Sequence, residues 1–141
     1  MIKFLIMSLV SITLIGCTTS QPASNEIKDV PAERIFMYQQ NVKNSTNLIF
    51  IRDKGALGSS CYVNLYINGN EVAKFDIKER ASFYVPSGEV KMGASILATT
   101  GLCSYNIPPR RDRNFTLIPN QTMIMRLTTE PTGTTEIIQT N

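Results

Sequence analysis

Few residues in this chain have chemistry to offer. There are three Cys, at positions 17, 61 and 103, and no His. Without an imidazole, a Ser-His-Asp or Cys-His arrangement cannot be assembled, and no SxxK motif offers a Ser-Lys dyad in its place. No Gly-rich loop stands before a helix to cradle phosphate. Asp76 and Glu79 are the nearest carboxylate pair, but they flank a turn where solvation explains them. An enzyme is therefore not expected. Two features remain as candidates for binding. Arg110, Arg111 and Arg113 follow Pro108-Pro109 in the longest irregular stretch after Cys61. Guanidinium groups so placed either grip phosphates or carboxylates bidentately, or simply solvate a loop. Tyr62 and Tyr66 share the polar face of one alternating segment. They either form part of a recognition surface or lie beneath a neighbouring strand or loop.

The fate of the first cysteine follows from what precedes it. Lys3 is followed by an apolar run, Phe4 to Ile15, broken only by Ser8, Ser11 and Thr13. The run is far shorter than the ~20 residues a spanning helix needs, and a basic residue before it marks a secretory signal. It ends in Leu14-Ile15-Gly16-Cys17, which resembles the bacterial lipobox. That resemblance implies lipidation of the Cys17 thiol, cleavage before it, and an N-terminus carrying two or three acyl chains. One chain binds a membrane only marginally, so several are needed for a stable anchor. Thr18, in the lipoprotein sorting rule, implies an outer-membrane destination rather than inner-membrane retention, with the domain facing the periplasm. Residues from Thr18 to about Ala32 are rich in Ser, Thr, Gln, Asn and Pro, a composition that suits a flexible tether.

With Cys17 lipidated, Cys61 and Cys103 remain as an even pair in an oxidising compartment. Two thiols with no His and no CxxC spacing make a poor metal site. A structural disulfide is the expectation, closing a loop worth about 4 kcal/mol of chain entropy. Removal of the signal leaves 13 basic against 11 acidic residues, too weak an excess to call for nucleic acid. No metal and no cofactor is expected.

The elements that must carry these residues read as strands. Cys61, Val63, Leu65 and Ile67 alternate with Tyr62, Asn64, Tyr66 and Asn68, the period of a half-buried strand. Asn68-Gly69 then signals a tight hairpin. Further inward sets are Ala73, Phe75 and Ile77; Ala81, Phe83 and Val85; Val90, Met92, Ala94 and Ile96; Phe115 and Leu117; and Met123, Met125 and Leu127. A first strand is expected over 47–52 and a weak last one over 134–139, with a single helical turn somewhere in 31–41. Seven or eight short strands predict an all-β fold, a sandwich or a barrel; the small antiparallel sandwich is the expectation that the resemblance below implies.

The segments 73–77 and 81–92, with the Asn-Gly hairpin and Phe83-Tyr84-Val85-Pro86-Ser87-Gly88, resemble a PEGA-type, Ig-like β-sandwich. The stretch from Asn47 to Cys103 is also similar to a group of Gram-negative lipoproteins with a Gly-Ser-x-Cys segment, here Gly58-Ser59-Ser60-Cys61. These resemblances imply fold and anchoring, and carry no catalytic residues. The expected organisation is a signal peptide over 1–16, a lipidated tether over 17–32 and a β-sandwich over 33–141. The expected function is a non-catalytic, periplasm-facing lipoprotein module that docks onto an envelope protein assembly or a cell-wall or lipid component. The alternative is an inhibitor or immunity lipoprotein that blocks an enzyme or toxin.

Overall fold

A computed structural model describes residues 19–56, 58–104 and 106–140. Cys17 and the expected signal peptide lie outside the described residues. Alternation of apolar and polar side chains builds nine strands: β1 Lys28–Asp29, β2 Ser45–Arg52, β3 Val63–Ile67, β4 Asn70–Phe75, β5 Glu79–Pro86, β6 Gly88–Ile96, β7 Arg111–Leu117, β8 Thr122–Thr129 and β9 Thr135–Thr140. They form a five-stranded sheet, β1-β5-β2-β8-β9, and a four-stranded sheet, β4-β3-β6-β7. The sheets face each other as a small sandwich.

The inward sets meet as the alternation requires. Val63, Leu65, Phe75, Met92 and Leu117 of one sheet and Leu48, Phe50, Phe83, Met125 and Leu127 of the other are all buried in one core. Phe83 sits at its centre, edge-on to Phe50 with ring centroids 5.9 Å apart and tilted against Phe75 at 6.4 Å. Such offset aromatic pairs add to burial about 0.5–1.5 kcal/mol each. At Asn68 and Gly69 the backbone takes φ of 49° and 81°, and Ile67 pairs directly with Asn70. This is the two-residue turn whose twist suits a hairpin, and it needs residues that tolerate positive φ at both central positions.

Three expectations change. The sandwich is not wholly antiparallel, since β2 runs parallel to β8 from Asn47↔Thr122 to Arg52↔Leu127, and β1 runs parallel to β5. The chain returns to β2 only after threading the other sheet, so no hairpin constrains that pairing. Within 31–41 the only helical turn is a 3-10 turn, Ala32–Arg34. And residues 19–32, expected as a flexible tether, are laid along the domain. Ser20 and Lys54 exchange two backbone hydrogen bonds of 2.9 Å. Glu26 accepts from Lys54 (2.7 Å) and Lys78 (3.2 Å). β1 extends the edge of β5, and Val30 is buried against the core. The strap continues past Val30: Ile35 bridges to Ala73 on β4, and Tyr84 of β5 donates to the Tyr38 carbonyl (2.8 Å). It thus crosses the gap between the β4 and β5 edges. Polar composition alone cannot register this, because the strap is held mainly by backbone pairing and ion pairs, with Val30 its anchor in the core.

The two ends of the sandwich differ. One end holds the short polar turns 68–69 and 118–121 and the segment 41–44. The other holds the longer connections 53–62, 97–110 and 130–134 together with Thr19. The Cys61–Cys103 pair is at this loop end, with Sγ atoms 2.07 Å apart, as the pairing of the two cysteines predicted.

Candidate functional site

The outer face of the four-stranded sheet gathers Tyr62, Asn64 and Tyr66 in one row, because they share the outward parity of β3. Each tyrosine is covered by an arginine from elsewhere. The Arg34 guanidinium lies 4.8 Å from the centroid of the Tyr62 ring, and that of Arg110 lies 4.0 Å from the Tyr66 ring. Both arginines are fixed from behind. Arg34, on its 3-10 turn, makes a bidentate pair with Glu79 at 2.7 and 2.6 Å and donates to the Lys74 carbonyl at 3.0 Å. Arg110 makes a bidentate pair with Asp112 at 2.6 and 3.1 Å. Hydrogen bonding to these carboxylates raises both guanidinium pKa values above their ordinary range, so both cations are permanent.

A glycine makes the second stack possible. Tyr66, Gly93 and Asp112 face one another across β3, β6 and β7. A Cβ on Gly93 would collide with the Asp112 carboxylate. The missing side chain leaves a hollow in which Asp112 lies across β6 and holds Arg110 over the ring. Beneath the tyrosines, Asn64 is 2% exposed. Its Nδ2 donates to the Tyr66 hydroxyl (3.2 Å), while its Oδ1 has no partner among the described residues. A buried polar atom left this way costs about 1–3 kcal/mol, a penalty standing at the centre of the face. Phe36, 47% exposed, extends the patch with Lys74 lying 5.6 Å over its ring. Tyr, Arg and Phe held rigid on a sheet are the side chains that anchor protein interfaces.

The arginine run does not act as one group. Arg111 and Arg113 belong to strand β7 rather than to an irregular loop, so they point to the opposite side from Arg110 and Asp112. Both pair with one carboxylate, Glu136 on β9, at 3.1 and 2.9 Å. Glu136 is buried while the two arginines are more than half exposed. This bridge ties the β7 edge of one sheet to the β9 edge of the other. It forms one wall of a cleft of about 370 Å³ that also contains Thr19, Arg126 and Glu130. Asp53, almost wholly buried, accepts from Nε and Nη2 of the cleft's Arg126 and from the Thr19 hydroxyl. Thr19 in turn accepts from the Thr129 backbone N–H (3.0 Å).

Sequence reasoning took Arg110, Arg111 and Arg113 as one candidate and Tyr62 with Tyr66 as another; the structure brings Arg110 to Tyr66 and sends Arg111 and Arg113 to Glu136. Sequence reasoning missed Arg34, Asn64, Gly93 and Asp112. Arg34 sits in a strap with no periodicity to read. Asn64 carried a signal, as the polar residue between two tyrosines of equal parity. Gly93, inside an otherwise regular strand pattern, marked a close approach.

Compared with family models, with curated proteins and with solved structures, the chain has no match.

Proposed function

We propose that this protein is a lipid-anchored, non-catalytic docking module of the bacterial envelope, held to the periplasmic side of the outer membrane through Cys17. Its outer face of Tyr62, Tyr66, Arg34 and Arg110 binds a protein partner in a larger assembly. The same reading takes the sandwich as PEGA-like and the chain as a member of the lipoprotein group it resembles. The observation that carries the docking function is the pair of arginine–tyrosine stacks. Each arginine is held by its own carboxylate, so the aromatic and cationic groups are pre-organised and lose little freedom on binding. The lipobox supports the anchor, and Thr18 supports the outer membrane. Tyrosine and arginine composition favours a protein over a cell-wall glycan or a lipid as the occupant.

The test is in-cell photocrosslinking from a reactive amino acid at position 62. The control is the same amino acid at Ile138, exposed on the five-stranded sheet. A single stoichiometric adduct from position 62 alone is expected, and it disappears with Arg110→Ala and Tyr66→Ala combined. Equal adducts from both positions, or none from position 62, refute the docking face. If the adduct contains a lytic enzyme or toxin that the protein silences, the inhibitor reading replaces the assembly reading.

A further inference from the structure

We infer that the loop end of the sandwich rests directly on the bilayer, with Leu102 inserted at the headgroup boundary. The inference rests on the anchoring through Cys17 proposed above, and adds how the domain is held at the surface. A lipoprotein with a flexible tether keeps its domain at a variable distance from the membrane. Here the slack is missing. Cys17 is two residues from Thr19, a reach of about 7 Å at full extension. Thr19 is fixed to the domain by hydrogen bonds to Asp53 and Thr129, and Ser20 by its pairing with Lys54. An acylated Cys17 therefore brings the end of the sandwich that holds Thr19 to the lipid surface.

What that end presents fits such a surface. Glu130 shares the cleft of Thr19, and the next residue, Pro131, lines a neighbouring hollow with Leu102, Ile107 and Pro108. Leu102 is 86% exposed, whereas no other large exposed hydrophobic exceeds 49% among the described residues. It sits on the 3-10 turn Gly101–Cys103, which the disulfide to Cys61 holds to the domain. A single exposed leucine is unremarkable on a soluble surface. An apex leucine on a cross-linked turn, beside the point where acyl chains leave, has an apolar neighbour in the bilayer. Charge does not oppose this placement: around the cleft Arg111, Arg113 and Arg126 are balanced by Glu130, Glu136 and Asp53.

The absence of Trp from the chain provides a direct test. Leu102→Trp places a sole indole at the apex, and Asn70→Trp places one in the exposed hairpin at the opposite end. Each full-length, acylated variant is reconstituted into phosphatidylethanolamine–phosphatidylglycerol vesicles, and the acyl chains are verified by mass. The emission of Leu102→Trp is expected to shift to shorter wavelength and to be quenched by lipids brominated near the headgroup, with no change for Asn70→Trp. If the acylated Leu102→Trp emits as it does in water, the seating is overturned while the anchor stands. If the mass shows no acyl chains, the anchor fails and the inference falls with it. If both variants are quenched equally, the domain has no preferred orientation and the inference is again overturned.

Discussion

Arg52 is 2% exposed and, among the described residues, pairs with no carboxylate. It follows Leu48 and Phe50 at inward parity on β2, and its guanidinium donates to the carbonyls of Cys61 (2.7 Å), Phe75 (2.8 Å) and Gly58 (2.8 Å). It thereby joins the disulfide loop to the end of β4. Burial lowers its pKa to about 10, with Asp76 and Glu79 only partly opposing the shift. That net lowering disfavours the cation by about 3 kcal/mol. Three hydrogen bonds from a charged donor contribute about 1.5–3 kcal/mol each, so the cation is a net stabiliser by roughly 1.5–6 kcal/mol. Arg52→Met preserves most of the volume and removes all three bonds. Gly58 keeps the Cys61 N–H as a donor at 3.0 Å, whereas the Cys61 and Phe75 carbonyls lose the guanidinium. The variant is expected to lose about 1.5–6 kcal/mol, a large share of the 5–15 kcal/mol typical of a domain. Denaturant unfolding at neutral pH with the disulfide intact measures this, and hydrogen exchange should quicken first around 58–63. A Met variant as stable as the wild type would refute the reasoning, because desolvation would then cancel the three bonds, as it does in some buried ion pairs.

Gly93→Ala is expected to keep the fold but displace Asp112, releasing Arg110 from the Tyr66 ring. The ring resonances of Tyr66 should move while those of the core phenylalanines stay. Glu136→Gln removes the shared partner of Arg111 and Arg113 and should cost on the order of 1 kcal/mol. Its stability should also depend less on salt than that of the wild type, and an unchanged salt dependence would remove the bridge as a contributor. Glu26 is held down to a pKa of about 2, first by its hydrogen bond to Lys54 and then by Ala23 and Lys78. Because this folded-state value lies below the ordinary 4.5, its contribution is complete above pH ~4.5 and is lost as pH falls towards ~2. Protection of the Ser20 and Lys54 amides, taken relative to their intrinsic exchange rates, should therefore fall across that window, and Glu26→Gln should abolish that fall.

The core was legible in the sequence because alternation is a local property. The inward sets from Val63 to Leu127 needed only period two and Asn68-Gly69 to be assigned, and the two free cysteines could pair with little but each other. Arg52 was not legible on that ground, because Leu48 to Ile51 is apolar at both parities and only the structure shows which parity faces inward. The candidate face was only half legible. Tyr62 and Tyr66 share a strand, so their common direction is local, but the arginines that cover them come from 28 and 44 residues away respectively. Parity within β7 could have separated Arg110 from Arg111 and Arg113, had Pro108-Pro109 not read as the start of a longer loop. Only the tertiary structure decided that β2 runs beside β8, that Glu136 ties two sheet edges, and that residues 19–32 are a strap rather than a tether. Each of these depends on chain segments brought together across the fold, where pairing is settled by the closure of the whole sandwich and leaves no periodic trace in either segment.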